Sequence, residues 1–123
     1  MIGKVLDTVI GSLIRNIPGS IGRIIRNKYW KTRLKNCGKI RIDEGVIFHH
    51  PEHIEIGNNV WIMPYSIITA YPEIQKIYKG NKIFKKIKKV TVKIGNQVQI
   101  GSFNIINGAG GVEIEDYVTL SAR

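Results

Sequence analysis

The sequence predicts an all-β solenoid, a parallel β-helix, preceded by amphipathic helices. Three observations predict it. Aliphatic residues recur every six positions, close copies of one six-residue block return along the chain, and a basic segment with helical periodicity stands in front.

The repeat occupies residues 38–123. One aliphatic series runs Ile42, Phe48, Ile54, and a step of two leads to Ile56, Ile62 and Ile68. After an interruption come Ile94, Ile100, Ile106 and Val112, and another step of two gives Ile114 and Leu120. A helix would space its aliphatics three and four residues apart, which this region does not do. The blocks Ile56-Gly57-Asn58-Asn59-Val60-Trp61 and Ile94-Gly95-Asn96-Gln97-Val98-Gln99 are close copies. Ile100-Gly101-Ser102-Phe103-Asn104-Ile105 and Ile114-Glu115-Asp116-Tyr117-Val118-Thr119 are looser ones. Each unit reads as a short strand and a tight corner, with the aliphatic residue pointing inward. The residue four later is small or β-branched and also faces a narrow interior. Gly57, Gly95 and Gly101 suit corners that need a permissive backbone. Three units close a triangular coil, and stacked coils pair their strands in parallel.

Residues 1–37 read as a basic helical segment. Ile2, Val5, Leu6, Val9, Ile10, Leu13, Ile14 and Ile17 form one apolar stripe at helical spacing, which Pro18-Gly19 ends. A second helical stretch carries Ile21, Ile24, Ile25, Tyr29, Trp30 and Leu34 among arginines and lysines. Two roles suit these helices. They cap the open first coil, burying the stripe against Ile40 and Ile42, or they dock on an anionic membrane surface. Residues 71–91 interrupt the repeat, and Lys79-Gly80-Asn81-Lys82 between apolar flanks reads as the turn of a protruding hairpin. Its lysines either keep a solvated edge from pairing or line an acceptor site or a neighbouring subunit.

Charge divides the chain in the same way. The net charge is +10, yet residues 1–39 carry +8 and residues 73–93 carry +7. The remaining stretches 40–72 and 94–123 sum to −3 and −2. A mildly acidic body with two basic appendages suits anionic partners such as phospholipid headgroups or sugar phosphates. Aromatic interleaving and any nucleic-acid module are absent, so no nucleic-acid partner is expected. The longest apolar run near the start, Thr8–Ile14, is too short to span a bilayer, and Arg15 spoils it as a secretory signal. The expected location is cytoplasmic or peripheral on the inner face of the membrane. Cys37 stands alone and forms no internal disulfide.

These residues support a resemblance. Ile54-Glu55-Ile56-Gly57-Asn58-Asn59-Val60-Trp61-Ile62, Ile94-Gly95-Asn96-Gln97-Val98-Gln99-Ile100-Gly101 and Gly110-Gly111-Val112-Glu113-Ile114 resemble the left-handed β-helix hexapeptide-repeat acyltransferases. Within that family they resemble the bacterial sugar and polysaccharide O-acetyltransferases. Leu13–Leu34, with Ile17-Pro18-Gly19 and Tyr29-Trp30, is similar to the front of the polysaccharide-modifying members. Left-handedness follows from the resemblance alone, because parallel crossovers are ordinarily right-handed. The resemblance implies acetyl-CoA as acyl donor, a sugar or lipid-linked glycan as acceptor, no metal, and a homotrimer with active sites between subunits.

Acetyl transfer from a thioester to a hydroxyl needs a general base and donors for the tetrahedral oxyanion. The resemblance places the catalytic histidine roughly eight residues beyond Arg123. His49, His50 and His53 do not occupy that place and read as corner or surface residues. In the γ-class carbonic anhydrases, which share the expected fold, three histidines bind zinc from separated positions across a subunit interface. Here the three crowd around Pro51, so no zinc site is expected. The related enzymes place an asparagine one coil before the catalytic histidine, and Asn104 and Asn107 are the candidates for that substrate-binding role. Otherwise Asn104 reads as an inward corner residue and Asn107 as a left-handed corner residue replacing glycine. Trp61, Phe103 and Tyr117 fall off the inward columns and could line a trimer interface. The repeat is still in register at Leu120-Ser121-Ala122-Arg123. The expectation is therefore the N-terminal part of an O-acetyltransferase, truncated and inactive by itself. The competing expectation is a non-catalytic scaffold or membrane-associated self-assembling protein.

Overall fold

The computed structural model describes residues 2–71, 73–88 and 90–122. Two helices come first, α1 (Ile2–Arg15) and α2 (Gly19–Lys31). The chain then runs through β1 (Asn36–Cys37), β2 (Ile40–Ile42) and β3 (Ile47–His49), and a single 3-10 turn over Pro51–His53. Strands β4 (Ile54–Ile56), β5 (Val60–Ile62) and β6 (Ile67–Thr69) follow. Next are β7 (Glu73–Lys79) and β8 (Lys82–Lys88), and then β9 (Val92–Ile94), β10 (Gln99–Ile100) and β11 (Ile105–Asn107). The last are β12 (Val112–Ile114) and β13 (Thr119–Leu120).

Apart from β7 and β8, these strands form three parallel sheets. Sheet A has the order β1-β4-β9-β12, sheet B β13-β10-β5-β2 and sheet C β11-β6-β3. The chain visits A, B and C in turn, and one circuit takes 20 residues, as from Ile40 to Val60 and from Val92 to Val112. Three six-residue units plus one two-residue step account for that length. The step is a strand with both ends inward, as in Ile54-Glu55-Ile56, where both isoleucines are buried. Ile42, Ile54, Ile62, Ile68 and Ile100 are fully buried between the sheets, as are the residues four after an inward aliphatic, Val46, Ser66 and Val98. Burying each isoleucine side chain contributes roughly 1.5–3 kcal/mol.

The corners that follow sheets A and B differ in detail from the sequence expectation. Gly57, Gly95 and Gly101 do not adopt positive φ; that conformation falls to Asn59, Gln97 and Phe103 two residues on. The three glycines are required by the spacing between circuits instead. A methyl group on Gly57 would lie 2.8 Å from the Gly95 carbonyl carbon and oxygen, and one on Gly95 would lie 2.9 Å from the Asp116 nitrogen. Beside them runs a side-chain ladder. Lys39 N–H donates to Asn58 Oδ1 at 3.1 Å, Asn58 N–H to Asn96 Oδ1 at 2.7 Å, and Asn96 N–H to Asp116 Oδ1 at 2.7 Å. Each circuit thereby satisfies a corner amide of its neighbour. At the next corner Tyr65 and Phe103 stack with ring centroids 5.6 Å apart.

Residues 73–88 form an antiparallel hairpin, and Lys79 pairs with Lys82 around Gly80, whose φ is 59°. The hairpin leaves the body after Thr69 and returns before Val92, and the register of sheet A continues across it, with Ile54 opposite Val92. The first strand, Asn36–Cys37, already pairs with β4, so sheet A begins two residues inside the segment read as helical.

The helices depart from expectation in packing. The second ends at Lys31, short of Leu34. Strand β2 is the edge of sheet B, and α2 covers it with polar side chains rather than the apolar stripe. Asn27 Nδ2 donates to the Ile40 carbonyl at 3.1 Å, and its Oδ1 accepts from Ile42 N–H at 3.0 Å. Arg26, 1% exposed, donates from Nε to the Ile42 carbonyl at 3.1 Å and from Nη1 to the Ile17 carbonyl. These two residues do for β2 what another strand would do. Trp30 meets Phe48 edge-on at 4.8 Å, and Leu34 is buried.

Helix α1 packs on α2 through its polar side. Tyr29 O–H donates to the Asp7 carbonyl at 3.2 Å, Asp7 is ion-paired with Arg33, and the Arg33 guanidinium lies 3.7 Å from the centre of the Tyr29 ring. The apolar stripe of α1 does not bury against Ile40 and Ile42; Ile2, Val5, Leu6, Val9, Ile10 and Leu13 are all exposed. Hydrogen bonding from Arg33 holds the Asp7 carboxyl below the usual carboxylate range, with its charge adding to the effect. The native pKa is thus below the unfolded value of about 3.9, so this pairing is complete above that value and is lost as pH falls through the native pKa. Amides of α1 should therefore exchange faster, relative to their intrinsic rates, as acidification enters that window. The Asp7→Asn variant should show the faster exchange already at neutral pH, and equal protection in the two proteins would refute this.

Candidate functional site

Strands β3, β6 and β11 are in register, with Phe48, Ile68 and Ile106 pointing inward. Because side chains alternate along a strand, their neighbours line the outer face of sheet C in two rows. One row is Ile47, Ile67 and Ile105; the other is His49, Thr69 and Asn107. His49 Nδ1 lies 3.1 Å from Thr69 Oγ1, a hydrogen bond that orients the exposed imidazole. Asn107 lies one strand further on, about 10 Å from His49 at ordinary strand spacing. Its Oδ1 accepts from Ala109 N–H at 2.9 Å. Its side-chain amide hydrogens have no partner among the described residues. Asn107 is not in the left-handed region expected of it as a glycine substitute; Gly110 and Gly111 carry the positive φ at that corner.

Asn104 has a different environment. Its Nδ2 donates to the Gly101 carbonyl at 3.0 Å and to the Ser121 carbonyl at 2.8 Å, which occupies both amide hydrogens. Its backbone N–H reaches Ser66 Oγ at 3.3 Å, and buried Ser66 donates to the Gly101 carbonyl at 2.8 Å. Asn104 therefore ties successive circuits together at the corner between sheets B and C, whereas Asn107 offers donors to solvent. The two asparagines do not converge on one site.

The row on sheet C abuts a groove of about 420 Å³ between the helices and the first circuit, lined by Asp7, Tyr29, Arg33, His49 and Glu52 among others. His49 belongs to both. The hairpin departs from the same side of the body, its first strand starting at Glu73. Imidazole and hydroxyl thus stand beside the groove that holds the Asp7–Arg33 pair, whereas the Asn107 amide lies at the far edge of sheet C.

The other histidines follow the corner. His50 has φ 55°, and the Pro51–His53 turn brings Glu52 Oε1 to 3.8 Å from His50 Nδ1 and 3.7 Å from His53 Nε2. Among the described residues no group of three or more His, Cys, Asp or Glu side chains is arranged to hold a metal ion. Burial raises the Cys37 pKa, so its thiol is protonated and a poor nucleophile near neutral pH. Trp61 lies on the outer face of sheet B, its Nε1–H donating to Asp43 Oδ2 at 2.7 Å while Arg41 sits 4.2 Å over the ring. Phe103 and Tyr117 are exposed at positive-φ corners.

The pairing of His49 with Thr69 escaped the sequence reading. Counting 20-residue circuits would have found it, since the two residues are one circuit apart. Among the described residues no helix is long and apolar enough to cross a membrane. No family model, curated protein or solved structure matches this chain.

Proposed function

We propose that this chain is the N-terminal part of an acetyl-CoA-dependent O-acetyltransferase acting on a sugar or cell-surface polysaccharide precursor. In this reading the three parallel sheets are the faces of a left-handed β-helix. One observation carries the proposal. The Ile-Gly-Asn-x-Val block recurs in register in stacked circuits, its glycines and asparagines serving the contact between circuits, and that block resembles the family.

The reaction moves an acetyl group from sulfur to oxygen. A base takes the proton of an acceptor hydroxyl, the oxygen attacks the thioester carbonyl, the new C–O bond forms, and the C–S bond breaks to release the thiol with that proton. Acetyl-CoA supplies the activated acetyl group when bound. Of the two candidate asparagines, Asn107 is the one whose amide donors, without a partner among the described residues, can meet an acceptor or a developing oxyanion. Asn104 is committed to the inter-circuit contact. His49, steadied by Thr69, suits acceptor binding. By the resemblance, the general base is a histidine whose place none of His49, His50 and His53 takes, and the active unit is a trimer.

The test is the product of the complete reading frame, incubated with acetyl-CoA and a panel of sugar and glycan acceptors while thiol release is followed. Turnover is expected with at least one acceptor. Asn107→Ala should lower kcat by roughly tenfold or more, in the range for loss of a transition-state donor. Asn104→Ala should instead lower the melting temperature. Absence of both thiol release and acetyl-CoA binding by calorimetry would leave the non-catalytic scaffold as the better reading.

A further inference from the structure

We infer that the outer side of the α1–α2 hairpin is a docking surface for an anionic lipid bilayer. The inference is independent of acyl transfer and comes from an inverted arrangement. An amphipathic helix on a water-soluble body normally turns its apolar stripe inward and its polar side out. Helix α1 does the reverse. Asp7 and Gly11 face Tyr29 and Arg33 of the neighbouring segment, while Leu6 is 56% exposed and Leu13 69%. The stripe cannot turn inward without breaking the Asp7–Arg33 ion pair and the bond from Gly45 N–H to the Arg15 carbonyl.

Helix α2 repeats the pattern. Its inner side is committed to the edge of sheet B through Arg26 and Asn27, with Gly22 buried against Ile17. Ile21, Ile24 and Ile25 are exposed on the outside, interleaved with exposed Lys28 and Lys31. Aliphatics for the acyl boundary and lysines for headgroups therefore share one surface, the composition of a helix that lies in a membrane interface.

Charge selects the occupant. Asp7 is the only carboxylate before Asp43, and its charge is already matched by Arg33. Two copies of this chain meeting through the hairpin would bring together two segments of +8 each, a repulsive encounter. A bilayer containing acidic lipid presents the opposite sign together with an apolar layer, and each basic residue near such a surface adds to the attraction. Neither helix can cross the bilayer, so the hairpin lies flat and the three-sheet body stays on the aqueous side.

The experiment is co-sedimentation of the full chain with phosphatidylcholine vesicles, with and without phosphatidylglycerol. Binding is expected on the anionic vesicles and should weaken with salt. The double variant Leu6→Glu/Leu13→Glu should keep the wild-type circular dichroism and melting temperature, because both side chains are exposed, and should bind on the order of tenfold more weakly or less. Lys28→Gln/Lys31→Gln should reduce partitioning on the order of tenfold or more on anionic vesicles alone. Equal binding to neutral vesicles overturns the proposal, as does undiminished binding of the folded Leu6→Glu/Leu13→Glu variant. A concentration-dependent dimer by light scattering that this variant dissociates, without vesicle binding by the wild type, overturns it in favour of self-association.

Discussion

Replacing Gly57 with alanine is expected to destabilise the fold by about 3 kcal/mol and to lower the melting temperature by roughly 10 °C. The added methyl group would sit 2.8 Å from two backbone atoms of Gly95, in the middle of the stack. Backbone cannot rotate aside as a side chain can, so the circuits must separate or tilt. Either response stretches the bond from Gly57 N–H to the Ile94 carbonyl, now 2.9 Å, and the Asn58–Asn96 step of the ladder. Gly3→Ala is the matched control, since nothing lies within 4 Å of a methyl group there. As an exposed helical position it should gain up to about 1 kcal/mol. Thermal unfolding followed by circular dichroism separates the two; a Gly57→Ala protein within about 0.5 kcal/mol of wild type would show that inter-circuit spacing does not demand glycine.

Arg26→Ala is expected to cost about 3 kcal/mol, because it strips charge-assisted donors from two carbonyls, Ile42 and Ile17, and leaves a void beneath α2. Burial pulls the Arg26 pKa below that of a free guanidinium, while Glu44 and Asp43 act in the opposite sense, and the group remains charged near neutral pH. Arg26→Met separates the causes by filling the volume without supplying donors. Both variants should loosen the helix from the sheet edge. The direct readout is hydrogen exchange at the Ile42 amide, which donates to Asn27 across that junction. Exchange there should accelerate while the Trp61 amide, bonded within the sheets to the Val98 carbonyl, stays protected. Uniform acceleration at both positions would mean that α2 is no separate cap but part of the core.

Periodicity made the parallel strands legible because an inward column must repeat whenever the chain returns to the same face. Six-residue spacing points Ile42, Ile54, Ile62, Ile68, Ile94 and Ile100 inward, and all six are buried. Val92, also fully buried, escaped because the hairpin hides its antecedent: its partner Ile54 is 38 residues earlier instead of 20. The corner glycines were located correctly but for a different reason. A glycine looks the same in sequence whether it serves torsion or proximity, and only the neighbouring circuit tells them apart. The stripe on α1 was visible as a helix face, yet periodicity carries no information on which way a face turns. That was decided by Asp7 and Arg33, 26 residues apart. The candidate site was the least legible part. Asn104 and Asn107 differ by three positions in sequence, but one amide is spent within the stack and the other is free, a distinction set by the Gly101 and Ser121 carbonyls.

The hairpin has a mechanical consequence. It is the sole covalent path between the circuit ending at Thr69 and the one starting at Val92, yet the two circuits touch directly through their sheets. Under tension on the two ends, load passes first through the short non-covalent route, with the hairpin slack beside it. Detaching an ordinary circuit would release 20 residues of chain, roughly 70 Å when extended, whereas detachment at this seam would release 38, roughly 130 Å. The stack is regular in its contacts but uneven in its compliance, with one extensible joint built in at the corner where the hairpin leaves.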